Sequence, residues 1–253
     1  MFVCLLAVLM LAAPVSAKVR YRNQWVTDSK GNTSYYNAKG KKLKGMQKIK
    51  KKYYYFDKKG IQRTGWQKVN NNYYFFTIAA KSKGSRVSST TVNGVRLKAN
   101  GKAKLNAYSR RKLALMVEAN EIVSGITNGK MTKEQKLKAA FEYTKKKLRS
   151  FNRGGFQSAG DWDMFYAEIA FRTGRADCYS YGAYYAYLAN AIGAKASAVS
   201  SGGHGWAEVD GKVYDPNWAK ASSVDSFCGM SYNLSGVGGR PNYKAAKYYV
   251  RAI

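Results

Sequence analysis

The sequence is short of the residues that usually brace small exported folds or hold metals. It has three Cys, one His and three Pro among 253 residues. Cys4 lies in the apolar first segment, so only Cys178 and Cys228 belong to the body of the chain. Two thiols exclude a disulfide scaffold and leave either one bridge or one working thiol with a bystander. One histidine and two distant cysteines lack the ligand spacing of a zinc site, so no metal is expected, and no motif calls for a cofactor. No apolar run reaches the roughly 20 residues that span a bilayer. Acidic side chains are scarce too: 14 Asp and Glu face 44 Lys and Arg, a formal net charge of +30. That surplus implies polyanionic surroundings, whether nucleic acid, anionic lipid or an anionic cell-wall polymer.

Residues 1–17, MFVCLLAVLMLAAPVSA, have the length and apolar character of a signal peptide, with Val15-Ser16-Ala17 fitting a cleavage site before Lys18. The expected basic residues at its start are missing between Met1 and Leu11. A membrane anchor is the other reading, but the run is short for one. Export with cleavage, and no membrane span in the mature protein, is the expectation.

The charge is uneven. Residues 18–107 hold 23 Lys and Arg against Asp28 and Asp57 alone, and the remainder holds 21 against 12. The basic stretch is also repetitive: GMQKIKKKYYYFDKKGIQRT from Gly45 to Thr64 is followed by GWQKVNNNYYFF from Gly65 to Phe76, and Trp25 opens a poorer earlier copy. A period of about twenty residues implies a repeat architecture. Each unit reads as a hairpin: a short strand such as Met46 to Ile49, an aromatic strand such as Tyr53 to Phe56, then the turn Asp57-Lys58-Lys59-Gly60. One hairpin cannot bury its aromatic face alone, so neighbours must stack and share rings as a short β-solenoid.

These units resemble the cell-wall-binding repeats of Gram-positive surface proteins, which include choline- and glucan-binding modules. The resemblance covers about residues 23–76, with a degraded continuation, VNGVRLKANGKA, at Val92 to Ala103. It implies ligand sites at the joints between hairpins, with Trp25, Tyr54, Trp66 and Tyr74 at the matching positions, although the same rings could serve only to hold the solenoid together. Met46 stands where the other units carry Trp. The lysine density favours an anionic or neutral wall glycan, such as teichoic acid, over an isolated cation such as choline. No recognised nucleic-acid motif is present, so only nonspecific nucleic-acid binding at low salt is expected.

From Tyr108 the pattern turns helical, with Leu113, Met116, Val117, Ile122 and Val123 on one face. Thr132 and Gln135 have capping-box spacing ahead of a second helix, and a third runs from Asp161 to a stop at Gly174. Then comes RADCYSYGAYYAYLANAIG, where Asp177 reads as an N-cap, Cys178 as the first helical residue and Gly193 as the stop. A cysteine at a helix start meets unsatisfied N–H groups and the positive end of the dipole, which favour the attacking thiolate. Downstream, HGWAEV and KVYDPNW read as strands on either side of Asp210-Gly211, a strong hairpin signal. In that register His204 and Asp215 fall diagonally across one face, within reach of each other. A nucleophile, a base and a residue that orients the base are the parts of a catalytic triad.

The three motifs, in this order and spacing, are similar to the transglutaminase-like superfamily of papain-type cysteine enzymes over about residues 110–220. The resemblance implies that Cys178, His204 and Asp215 act on a protein or peptide substrate through a thioester, as a cross-linker, protease or deamidase. Gly205 stands where that family usually has alanine. The fold expected is therefore α+β: a signal peptide at 1–17, repeats at 18–80, a degenerate repeat or linker at 81–107, and a transglutaminase-like core at 108–253. The expected setting is secreted and bound to the wall of a Gram-positive-type bacterium. The competing reading is a noncatalytic adhesin with the same fold, in which Cys178 is idle.

Overall fold

The computed structural model describes residues 21–78, 83–222, 227–244 and 249–253. The signal-peptide reading at 1–17 lies outside them.

The basic half is a series of small antiparallel hairpins. β1 (Gln24–Thr27) pairs with β2 (Thr33–Tyr36), β3 (Gly45–Ile49) with β4 (Lys52–Phe56), which also pairs with the short β5 (Gln62–Arg63), and β6 (Gly65–Val69) with β7 (Asn72–Phe76). One device recurs between them. Asp57 Oδ1 accepts from the N–H groups of Lys59 and Ile61 at 2.8 and 2.9 Å, and Asp28 and Asn37 do the same two and four residues on. The carboxylate or amide closes a tight turn, which is why Asp or Asn punctuates the repeats. Rings from successive hairpins then meet: Trp25 lies 4.9 Å from Tyr54 and 5.8 Å from Phe56, and Tyr55 lies 6.0 Å from Phe76. The stacking that single hairpins need is met by their neighbours.

The stretch 81–107, expected in part as a linker, continues this solenoid where it is described. β8 (Thr91–Val92) and β9 (Val95–Arg96) form a hairpin, and Ala103 N–H donates to the Tyr73 carbonyl at 2.9 Å. Val95, Leu97 and Ala103 are buried in the main core. Three apolar side chains among polar ones suffice, because each unit is only one hairpin thick.

The second half opens on α1 (Ala107–Ile126), capped by Asn106, and α2 (Lys133–Lys147), whose Thr132 and Gln135 make the expected reciprocal capping box. After β10 (Arg149–Ser150) come α3 (Trp162–Thr173), β11 (Arg175–Ala176) and α4 (Cys178–Ile192). β12 (Ala196–Ser200), β13 (Gly205–Val209), β14 (Lys212–Tyr214), the short helix α5 (Pro216–Ala221), β15 (Cys228–Met230) and β16 (Tyr249–Ala252) follow. The sheet has the antiparallel order β15-β14-β13-β12-β16. Hairpins thus come first and helices interleaved with short strands follow, a mixed α and β organisation.

α4 is the pillar of this half. Nearly every side chain from Tyr179 to Ala189 is buried, because α1, α2 and α3 pack against it from one side and β12 and β13 from the other. Its tyrosines stay inside by finding partners: the Tyr181 hydroxyl donates to the Leu148 carbonyl at 2.9 Å and Tyr185 to the Leu137 carbonyl at 3.1 Å. The helix also lies unusually close to β13. A Cβ on Gly182 would fall 2.7 Å from the Trp206 carbonyl carbon, and one on Gly205 would fall 2.8 Å from the Tyr179 Cα. One glycine on each element lets the two backbones touch.

Candidate functional site

That close approach sets the N-terminus of α4 beside the start of β13. Cys178 is the first residue of α4, with Asp177 as its N-cap: Asp177 Oδ1 accepts from Ser180 N–H at 2.8 Å and its carbonyl from Tyr181 N–H at 3.0 Å. Among the described residues the Cys178 N–H makes no hydrogen bond, so it is free to meet an incoming oxygen. His204 stands immediately before β13, its own N–H held by Ser201 Oγ at 3.2 Å. The Asp210-Gly211 turn has the register expected, with Val209 opposite Lys212 and Ala207 opposite Tyr214.

One reading of this segment is corrected. YDPNW is not a strand throughout: β14 stops at Tyr214, and Asp215 caps α5 by accepting from Trp218 N–H at 2.9 Å. Pro216 explains the change, since it has no N–H to give a ladder and its fixed φ suits the first turn of a helix. Asp215 is nevertheless where it was expected to be. His204 Nε2 lies 2.5 Å from Asp215 Oδ2, and the carboxylate is wholly buried. Nε2 is engaged by Asp215, and the Cys178 side chain lies near enough to the ring to act on its charge. All three residues named from the sequence are brought together.

The electrostatics follow from burial against charge. Burial pulls the His204 pKa down, but the charge and hydrogen bond of Asp215, with the neighbouring Cys178, outweigh it and push the value up to about 10. The imidazole is therefore held protonated at neutral pH, beside the Cys178 sulfur. Trp206 stacks near the ring at 6.2 Å and Trp218 meets it edge-on at 5.7 Å, walling the pair from solvent.

Sequence reasoning missed the residue behind the carboxylate. Tyr243, 1% exposed, donates its hydroxyl to the same Asp215 Oδ2 at 2.7 Å. Burial and the Asp215 charge raise its pKa, which keeps it a donor. A second chain backs the tryptophan: Trp206 Nε1 donates to the Tyr232 hydroxyl at 3.1 Å, and that hydroxyl donates to Glu208 at 2.6 Å. Both tyrosines sit in a polar, glycine-rich tail without periodicity, so no sequence signal marks them. Cys178 and Cys228 are not joined by a disulfide, which removes the bridge alternative.

The four rings named in the repeats divide. Trp25 is 39% exposed and Tyr54 half-buried; with Tyr35, which lies 5.1 Å from Trp25, they form a surface cluster of three rings. Trp66 is 1% exposed and Tyr74 is buried as well, so neither presents an open face to a ligand. Trp66 lies under α1, its Nε1 donating to Asn93 at 2.9 Å and its carbonyl accepting from Asn120 at 3.0 Å. It joins the repeats to the helical half. Other ring faces are covered by the chain's own cations, as where Arg86 sits 4.1 Å over Tyr53; among the described residues, none covers Trp25, Tyr35 or Tyr54. No helix among the described residues is long and apolar enough to cross a membrane, and none of their side chains cluster as a metal site.

Comparison with known proteins bears on the repeats. Residues 43–79 match the choline-binding repeat family. Those residues are therefore a repeat of the choline-binding kind. Among solved structures, the choline binding domain of a Streptococcus pneumoniae protein is 21% identical, with a TM-score of 0.29, over 36% of this chain and 100% of that one. Choline binding protein F of the same organism is 26% identical, at 0.29, over 32% of this chain and 28% of its own length. Truncated alternansucrase from Leuconostoc mesenteroides is 32% identical, at 0.24, over 26% of this chain and 6% of its own. No curated protein matches the chain.

Proposed function

We propose that the protein is a cell-wall-associated binding protein of Gram-positive type whose helical half carries a cysteine acyl-transfer centre. The binding half is supported by the choline-binding repeat at 43–79 and by the uncovered rings Trp25, Tyr35 and Tyr54. A quaternary ammonium fits such a ring cluster. A wall polymer that bears both choline and phosphate, such as a teichoic acid, reconciles this cluster with the lysine surplus, since it offers a cation to the rings and anions to the lysines.

The catalytic half rests on one observation: His204, bonded to buried Asp215 at 2.5 Å, faces a cysteine at the first turn of α4. Cys178 Sγ, as a thiolate paired with protonated His204, attacks the carbonyl carbon of a carboxamide or peptide; the C–S bond forms as the carbonyl π bond opens to an oxyanion near the Cys178 N–H. Collapse expels the amine, which takes its proton from His204. Water or a second amine then attacks the thioester, His204 removes its proton, and Cys178 leaves. Asp215, steadied by Tyr243, holds the ring and balances its charge.

The second reading is a noncatalytic wall-binding protein in which this fold is a scaffold. The comparisons favour it over the enzyme reading, because the matched family is a binding repeat. Thiol reactivity separates the two: a working Cys178 reacts with iodoacetamide faster than a model thiol near neutral pH, and an idle one does not.

A further inference from the structure

The repeats do not hang from the helical half; they are wedged onto it, and the wedge leaves a cleft. Gly129, between α1 and α2, donates its N–H to the Lys30 carbonyl at 3.0 Å, and a Cβ there would fall 1.9 Å from the Gly31 carbonyl oxygen. On the other side Asn120 of α1 bonds the Trp66 carbonyl. Between these two fixed contacts lie two cavities, of about 290 and 610 Å³, which share Asn32, Ile61, Arg63, Asn120, Ser124 and Asn128 in their walls.

The charge in this cleft is lopsided. Lys30, Lys58, Lys59, Lys83 and Lys136 line it, and among the described residues none of them makes an ion pair. Only Asp57 and Glu121 oppose them, and Asp57 is already bound to Arg63. Lys136 is half-buried, and burial together with the charge of nearby Lys83 lowers its pKa. Lys83 is exposed at the rim and half-buried Lys136 lies near enough to feel its charge, a repulsion that a bound anion would offset, and a one-signed cleft with protein walls concentrates its field.

We infer that this cleft binds the phosphodiester of a polyol-phosphate chain, with Lys83 and Lys136 at the phosphate and the amides and hydroxyls of Asn32, Thr64, Asn120 and Ser124 at the polyol. Its walls offer one aromatic side chain, Tyr55, so nucleotide bases would find little to stack on. The inference deepens the wall-binding reading by giving the polymer's phosphates a seat apart from the ring cluster.

The test uses the intact protein and poly(glycerol phosphate), with glycerol and a single-stranded DNA oligomer as parallel probes, at several salt concentrations. Lys83→Glu with Lys136→Glu should weaken poly(glycerol phosphate) binding by about tenfold or more, whereas Lys39→Glu with Lys41→Glu, which makes the same charge change outside the cleft, should cost no more than about twofold. Hydrogen exchange on the unmodified protein should slow at residues 120–136 when the polymer binds. Equal losses from both pairs, or no slowing there, would overturn the inference. DNA bound as tightly and lost in the same cleft variant would overturn the polyol-phosphate assignment. Sedimentation with purified walls keeps the two ideas separate: cleft variants that still bind walls and polymer normally sink the cleft alone, and a protein that ignores walls yet holds the polymer in the cleft sinks the wall reading alone.

Discussion

Both halves of the molecule are rich in tyrosine and tryptophan, yet they use them in opposite ways. In the repeats the rings lie on thin hairpins, touch across joints at 4.9 to 6.0 Å, and many keep one face toward solvent or a lysine. In the helical half, α4 carries buried tyrosines whose hydroxyls are tied to backbone carbonyls or to Asp163. A ring with a free face can recognise a ligand; a ring with every side packed fixes geometry. On the proposed function, the difference fits adhesion by one half and positional accuracy in the other. Trp66 is the exception that joins them, a repeat tryptophan used as a core residue.

The comparison is sharpest at Asp215. Asp215→Asn should leave wall binding intact and lower amide turnover by about 10³- to 10⁴-fold, as expected when a histidine loses its orienting carboxylate. A comparable loss of wall binding would show that the halves are not divided in this way. Next comes stability. Trp66→Ala should cost about 3–5 kcal/mol and lower the thermal transition of both halves together, whereas exposed Trp25→Ala should barely move it. Two separate transitions after Trp66→Ala would deny the shared core.

Gly205→Ala tests the contact between α4 and β13. The added methyl meets the Tyr179 backbone, so about 1–3 kcal/mol of stability should go, with turnover falling as Cys178 and His204 move apart. Unchanged turnover would mean that the close approach does not set the pair. The alanine usual in the resembling family thus does not fit at this position without a shift. The smallest effect is in pH. The imidazolium of His204, raised from 6.5 to about 10, stabilises the fold fully below about pH 6.5, and that contribution is lost as pH climbs to about 10. The alkaline limb of activity should fall near pH 10 and move lower in Asp215→Asn, and by less in Tyr243→Phe. An alkaline limb near 6.5 in the unaltered protein would remove Asp215 from this role.

What was legible in the sequence is what depends on near neighbours along the chain. Asp177 as a cap, Gly193 as a stop, the Thr132–Gln135 box and the Asp210-Gly211 turn need only a few residues to declare themselves, and those signals placed Cys178 at a helix start and His204 on the hairpin. Asp215-Pro216 was misread because the motif's apolar flanks resemble a strand while the proline starts a helix. Trp66 and Tyr74 look like Trp25 and Tyr54 in sequence; only the packing of α1 and neighbouring units buries them. Tyr243 reaches Asp215 from 28 positions away, through a segment with no pattern to extrapolate.

The most direct measurement compares the unaltered protein with Cys178→Ala on a glutamine-containing protein and a fluorescent primary amine, following amine incorporation and new peptide termini by mass spectrometry. The expected result is one of these products, formed by the unaltered protein and absent with Cys178→Ala, while both bind walls equally. No product across a range of substrates, with a Cys178 no more reactive than a model thiol, would contradict the acyl-transfer centre and leave a wall-binding scaffold.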